Sequence, residues 1–285
     1  MSDRLFILFQ YLLPQLLVSR LAGKLADCTG ANALRVRVIR WFIGRYGVNM
    51  SEAEHADPQS YPTFNAFFTR ALKPGLRPVV ADAEAIASPV DGAISQLGKI
   101  SDDRVFQAKG QSFGLTDLLG GDTQRAAPFA GGQFATIYLA PRDYHRIHMP
   151  VAGTLREMVY VPGKLFSVNP LTARKVPDLF ARNERVVAIF DTDYGPMAMV
   201  LVGAMIVGSV ETRWSGIVAP GNNREVSASD YRHCKEIRYD KGEEMGRFRL
   251  GSTVILVFPK DHCQWEASLQ EHSVVRMGER FGGWL

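Results

Sequence analysis

Two histidines three positions apart, His145 and His148, stand in the proline-bounded run Pro141-Arg142-Asp143-Tyr144-His145-Arg146-Ile147-His148-Met149-Pro150. Imidazole is the side chain best suited to moving protons near neutral pH, so a pair held in a short constrained segment suits general acid and base work. A serine follows a glycine in Gly246-Arg247-Phe248-Arg249-Leu250-Gly251-Ser252-Thr253-Val254-Ile255, where Phe248 and Leu250 alternate with arginines and Val254 to Phe258 reads as a buried strand. Gly251 therefore predicts a bend or close backbone approach, with the hydroxyl of Ser252 displayed at a kink. Asp91 lies in the turn-rich Ser88-Pro89-Val90-Asp91-Gly92. Aspartate, histidine and serine together could orient, deprotonate and attack. Each feature also has a purely structural reading, as a bulge, a hydrogen-bonded histidine or an Asx turn.

Such a set needs a rigid frame, and the patterning predicts one made mainly of strands. Residues 87–97, 133–139, 153–161, 185–190, 196–210, 236–239 and 253–258 are rich in β-branched and apolar residues between Gly, Pro, Asn or Asp turns. Helices are expected at 64–71 and 115–119. If the double-histidine segment forms a helical turn, both rings approach one site, whereas a strand points them to opposite faces. Residues 217–240 are polar and read as an exposed excursion. The fold class is α+β, a strand-dominated single core with N-terminal amphipathic membrane-docking helices.

The chain has 285 residues, 46% of them hydrophobic, enough for one substantial core with an appended segment. A mean hydropathy of -0.05 argues against a polytopic membrane protein. The longest apolar region, Leu5 to Val18, is interrupted by Gln10, Pro14 and Gln15 and is shorter than the roughly 20 residues of a transmembrane helix. Arg20 and Lys24 follow without a small-residue cleavage site, which disfavours a secretory signal. An interfacial helix fits better. Residues 1–46 carry seven Lys or Arg against two acids, while the whole chain is only +4, so the basic excess is N-terminal. Leu34, Val38, Phe42 and Tyr46 recur at four-residue spacing beside arginines, as in a basic amphipathic helix on an anionic leaflet. A helical hairpin packed on the protein's own core is the alternative. Nucleic acid is not an expected partner, because aromatic-interleaved readout modules are absent. Cys28, Cys234 and Cys263 are unpatterned and indicate a reducing compartment. The pairs His233-Cys234 and His262-Cys263 lack zinc-ligand spacing, and no metal is expected.

Leu250-Gly251-Ser252-Thr253 resembles the self-cleavage motif of the phosphatidylserine decarboxylase proenzymes, and Lys241 to Phe248 is similar to that family as well. The likeness extends over Tyr61 to Pro78, Ser88 to Gly92, Lys109 to Gly120, Tyr138 to Phe166, Leu179 to Arg185 and Phe190 to Trp214, and is nearest to the bacterial membrane-associated form. Residues 217–240 depart from it. The resemblance implies that Asp91 orients His148, that His148 takes the proton of Ser252, and that the serine oxygen attacks the carbonyl of Gly251. Glycine suits that position, having no Cβ to obstruct attack. β-Elimination of the resulting ester and hydrolysis would leave a pyruvoyl group on residue 252, with chains of residues 1–251 (β) and 252–285 (α) associated noncovalently. The ketone would then serve as electron sink, through an imine with the substrate amine, for conversion of phosphatidylserine to phosphatidylethanolamine and carbon dioxide. His145 is the implied proton donor to the substrate α-carbon. Neither pyridoxal phosphate nor metal is implied.

The same likeness implies a membrane-associating segment over residues 1–46, a catalytic domain over 47–285, and a peripheral position on the cytoplasmic face of the cell membrane; it also allows a homodimer. Two other classes fit the residues alone. A serine hydrolase would use Asp91, His148 and Ser252, although no Gly-x-Ser-x-Gly elbow frames the serine. A noncatalytic membrane-binding domain would use the kink and histidines structurally.

Overall fold

In a computed structural model describing residues 3–30, 32–108, 110–205, 209–219, 221, 224–249 and 252–285, the apolar run after the Gly-Ser junction is the central strand of the molecule. The helices are α1 (Asp3–Leu12), α2 (Gln15–Ala26), α3 (Asn32–Tyr46), α4 (Phe64–Phe68), α5 (Leu115–Leu118), α6 (Thr123–Ala126), α7 (Pro170–Lys175) and α8 (Leu179–Arg182). The first nine strands are β1 (Ala85–Ala87), β2 (Gly92–Lys99), β3 (Arg104–Ala108), β4 (Gln111–Gly114), β5 (Gln133–Leu139), β6 (Arg146–His148), β7 (Gly153–Val161), β8 (Arg185–Thr192) and β9 (Gly195–Val202). There follow β10 (Val210–Thr212), β11 (Gly216–Ala219), β12 (Ser227–Asp230), β13 (Arg238–Tyr239), β14 (Glu244–Phe248), β15 (Ser252–Phe258), β16 (Cys263–Trp265), β17 (Val274–Val275) and β18 (Arg280–Trp284).

β15 pairs antiparallel with β9 on one side and β5 on the other, within a sheet ordered β12-β7-β8-β9-β15-β5-β2-β17, with β13 also on β7. Its residues are apolar without alternation because both faces of the sheet are covered. Val254, Leu256 and Phe258 pack into one cluster with Ile137, Leu139 and Leu201, whereas Ile255 and Val257 pack on the opposite face with Phe166, Phe180 and Val200. Over the first face lies a second sheet, β11-β10-β14-β6, which contributes Ile147, Met245 and Phe248 to that cluster. The strands on either side of the expected kink belong to different sheets, β14 to one and β15 to the other. Gly251 itself lies outside the described residues.

Several expected elements are redrawn. The strand expected at 87–97 is broken by Ser88 to Asp91 into β1 and β2, since Pro89 has no N–H for a ladder and Ser88 Oγ donates to the Val90 carbonyl at 2.9 Å. The one expected at 196–210 ends at Val202, and β10 belongs to the other sheet. α4 stops at Phe68; its N-cap, Thr63, accepts from Ala66 N at 2.9 Å. The excursion at 217–240 is mostly exposed but supplies β12 and β13 to the β7 edge. The stripe predicted on α3 does not face outward as a unit: Leu34 and Val38 are exposed, while Phe42 is buried among Phe64, Phe67 and Phe68. Aromatic edge contacts reward that turn inward, and they seat α3 on α4.

Asp91 is placed by a close approach. A Cβ on Gly92 would lie 2.5 Å from the carbonyl oxygen of Tyr138 in β5. Gly92→Ala must push β2 away from β5, at a cost of roughly 1–3 kcal/mol. The expected outcome is a lowered Tm by scanning calorimetry, and an unchanged Tm would show that the strand entrance is not tight.

Candidate active site

Strand pairing brings the residues singled out by type to one end of the central sheet. Ser252, at the first position of β15, is opposite Leu139, and the adjacent Tyr138 is opposite both Thr253 of β15 and Ala93 of β2. With neighbouring strands about 4.8 Å apart, the backbones at 252 and 92 flank the same end of β5 at a separation of about 10 Å. The histidine segment joins from the second sheet. β6 pairs with β14, placing His148 opposite Glu244, and Phe248 N donates to the His145 carbonyl at 2.9 Å. His148 N also donates to the carbonyl of Pro89, at 2.9 Å, which ties the aspartate turn to the same strand.

His148 is buried, and its ring is held at both nitrogens. Nδ1 lies 2.8 Å from the carbonyl oxygen of Gly242, and Nε2 lies 3.0 Å from the hydroxyl of Tyr144. A carbonyl only accepts, so in the neutral ring Nδ1 carries the hydrogen and Nε2 presents a lone pair to the phenol. Burial raises the Tyr144 pKa to about 12, so the phenol stays protonated and donates. Gly242 fits its role because it sits at φ +85°, and a Cβ there would meet Val79 at 2.5 Å. Burial also lowers the pKa of His148, against smaller raising effects from the Gly242 hydrogen bond and the charges of Glu244 and Asp91.

Asp91 does not provide the orienting hydrogen bond that the sequence suggested. Its carboxylate is gripped by Arg77, with Nε at 2.9 Å and 3.1 Å and Nη2 at 2.6 Å, and it accepts the Met277 amide at 2.9 Å. A second acid, Glu52, shares the Arg77 guanidinium at 2.7 Å. Asp91 therefore acts on His148 through its charge, and Gly242 and Tyr144 set the ring's direction. Asp91, Arg77, Glu52 and Tyr144 line a cleft of about 230 Å³.

His145 lies just before β6, and the segment is not a helical turn, so the two rings do not share a face. It is completely buried, 4.1 Å between centroids from Phe68, with Nδ1 2.8 Å from the Asp143 carbonyl. Nε2 is buried with no hydrogen-bond partner. Burial, reinforced by the Arg70 charge, drives its pKa down to about 3 despite the Asp143 bond. Arg77, Tyr144 and Gly242 were not singled out by residue type. Tyr144 was the most accessible of the three, standing inside the histidine run. Arg77 is 14 positions from Asp91 and Gly242 94 from His148, and nothing local marks either partnership.

The fold and site define a class: an antiparallel-sheet protein with a serine at the start of the strand that follows a crossing between two sheets, and in the second sheet a buried histidine whose ring is held at both nitrogens. Residues 64–283 match the phosphatidylserine decarboxylase family, and residues 5–47 match a second family described as PSD. The chain is 67% identical over 282 residues to the phosphatidylserine decarboxylase proenzyme of Marinobacter nauticus, covering 99% of this chain and 98% of that protein. It is 61% identical to the proenzyme of Bordetella pertussis (98% and 94% covered) and 59% identical to that of Pseudomonas aeruginosa (98% and 96% covered). The chain belongs to the phosphatidylserine decarboxylase family.

Two measurements probe this electrostatics. A base with a lowered pKa stays unprotonated to lower pH, so any reaction that uses His148 as base should hold its rate below pH 6.5, the ordinary histidine value. A self-cleavage profile falling already above pH 6.5 would contradict the assigned burial effect. His145 also makes the fold acid-sensitive. The unfolded chain takes a proton below about pH 6.5 that the folded chain refuses until about 3, so stability falls as pH drops through that window, by on the order of 2 kcal/mol at pH 5. In urea titrations at pH 7 and pH 5, His145→Gln should lose less stability than wild type between the two.

Proposed function

We propose that this chain is a self-processing, pyruvoyl-dependent phosphatidylserine decarboxylase, which cleaves itself between Gly251 and Ser252 and releases carbon dioxide from phosphatidylserine to leave phosphatidylethanolamine. The observation that carries the reading is that Ser252 opens β15, the strand that follows β14 in the chain: β14 is paired with the histidine strand β6, and β15 is locked between β5 and β9. In self-cleavage His148 Nε2 takes the hydroxyl proton of Ser252, and the Asp91 and Glu244 charges favour the imidazolium that forms. Tyr144, now on that nitrogen, yields it to the serine. Arg77 holds Asp91 in place by its fork, a geometry lysine does not reproduce.

The site fits the group that cleavage would create. A new amino end at residue 252 continues into a strand hydrogen-bonded on both sides, so it stays at the site, and the unpartnered Nε2 of His145 is a buried polar atom without another use. A pyruvoyl group there supplies an electrophilic ketone that accepts the electron pair released with carbon dioxide. In the neutral ring Nδ1 of His145 carries the hydrogen toward the Asp143 carbonyl and Nε2 is bare; an approaching substrate carboxylate offsets the burial, so that Nε2 takes up the proton it then passes to the substrate α-carbon.

Residues 1–46 serve as the membrane-associating segment and 47–285 as the catalytic domain. No single helix among the described residues is long and apolar enough to cross a membrane, and α1 and α2 bend by 85° at Pro14. Their polarity is inverted relative to a soluble protein. Leu8, Leu12, Leu17, Leu21 and Leu25 are exposed, whereas Gln10, Gln15 and Ser19 are buried. An apolar outer face of this size suits insertion in a lipid surface, with Lys24 and the α3 arginines adding attraction to anionic headgroups on the cytoplasmic face.

Intact-mass analysis of purified enzyme should show residues 1–251 and a pyruvoyl-blocked 252–285 that separate only on denaturation, because the second piece contains β15. Recovery of an active full-length chain refutes the reading. Arg77→Lys should slow self-cleavage by about 10-fold to 100-fold, followed as loss of the full-length band. His148→Ala should abolish it. His145→Ala, isolated in cleaved and pyruvoyl-bearing form, should lose decarboxylation more than it loses cleavage; wild-type turnover would remove His145 from the mechanism. Replacing Leu8, Leu12, Leu17 and Leu21 by Ser should abolish vesicle flotation while sparing turnover of a short-chain soluble phosphatidylserine.

A further inference from the structure

The two glutamines that interrupt the N-terminal apolar run are both buried, Gln10 fully and Gln15 nearly so. Neither faces its own helix. Gln15 Oε1 accepts from the backbone amide of Leu165 at 2.7 Å, and Gln10 Oε1 accepts from the amide of Ser167 at 2.8 Å. Gln15 Nε2 donates to the Gln10 carbonyl at 2.7 Å, bracing the bend between the helices. These bonds span 150 and 157 positions of chain. The segment they grip is rigid on its other side: Asn183 accepts from Phe166 N at 3.1 Å and donates back to the Phe166 carbonyl at 2.8 Å.

That segment leads to the site. Phe166 and Val168 pack in the same cluster as Ile255 and Val257 of β15. Val168 also walls a small cavity, of about 40 Å³, with Tyr138 and Ala93, which meet opposite Thr253 at the Ser252 end of the sheet. The far end of α2 is tied as well, since Asp27 accepts from Arg249 at 2.6 Å, two residues before Gly251. A helix pair whose leucines face outward is thus hydrogen-bonded on its inner side to the segment that carries Val168 to this cavity.

We infer that Gln10 and Gln15 are positioning residues for decarboxylation: they seat the lipid-facing helices on the amides of Leu165 and Ser167 and so couple the lipid surface to the wall beside residue 252. A methylene chain without the amide oxygen leaves those two N–H groups unpaired, and the segment loosens while the outer leucine face is untouched. This rests on the decarboxylase reading above.

The test compares wild type with Gln10→Met/Gln15→Met, each first shown by mass spectrometry to be cleaved and pyruvoyl-bearing, so that a failure of the underlying reading is recognised separately. On vesicles of phosphatidylcholine and phosphatidylglycerol the variant should float as wild type does, within about twofold. Deuterium exchange at Leu165 and Ser167 should rise by about tenfold. With dihexanoyl phosphatidylserine, kcat should fall by about tenfold and KM stay nearly constant, as for a misplaced rather than a missing group. Gln10→Glu and Gln15→Glu, which keep the accepting oxygen, should retain protection at the amide each contacts. Wild-type kcat, or unchanged exchange at both amides, overturns the inference. If the double variant does not mature, exchange is compared in uncleaved Ser252→Ala proenzyme with and without Gln15→Met, and an unaltered Leu165 amide there overturns it equally.

Discussion

The constraint on which this structure depends is that one short stretch of chain must leave one sheet and enter another while both of its ends are pinned. β14 is hydrogen-bonded to β6 and β10, and after three intervening residues β15 is hydrogen-bonded to β5 and β9. Neither strand can shift without breaking a ladder and exposing a cluster, because Phe248 is buried on one side of the crossing and Val254 on the other. In the proposed self-cleavage, the Ser252 hydroxyl attacks between two strands that are already ordered. The strand that follows keeps the product in place.

Around that crossing the protein arranges two imidazoles with the same chemistry and different surroundings. His148 has a hydrogen-bond partner at each nitrogen and counter-charges within reach, so its depressed basicity is partly restored. His145 has one partner, an aromatic ring against its face and a guanidinium nearby, and is held neutral far more firmly. Dry surroundings strengthen whatever interaction each ring has and penalise any that is missing. The roles proposed for them, a base that acts before substrate arrives and a proton carrier that waits for substrate charge, rest on this difference.

The N-terminal helices invert this accounting, as the proposed attachment to a lipid surface requires. Their leucines point away from the protein and their glutamines toward it, so the inward side supplies hydrogen bonds where a soluble helix would supply methyl groups. α3 is the hinge between the two regimes, exposing Leu34, Val38 and Trp41 while burying Ile39 and Phe42 against the aromatic cluster of α4.

Residue types and spacing by themselves determined the Gly251-Ser252 junction, the histidine pair, the Asp91 turn, the buried character of residues 253–258 and the separation of a basic apolar N-terminus from the rest. These are local: a glycine before a serine, an unbroken apolar run or a cluster of arginines has the same meaning wherever it folds. Tertiary structure decided who partners whom. Asp91 is taken by Arg77 and Met277, His148 by Gly242 and Tyr144, and the glutamines that seemed merely to interrupt an apolar run by amides more than a hundred residues away. A hydrogen bond is directional and short-ranged, and whether an aspartate meets a histidine or an arginine depends on strand register, on which residues can approach without a Cβ, and on which face a three-residue offset selects. None of these is carried by a residue's neighbours in the chain.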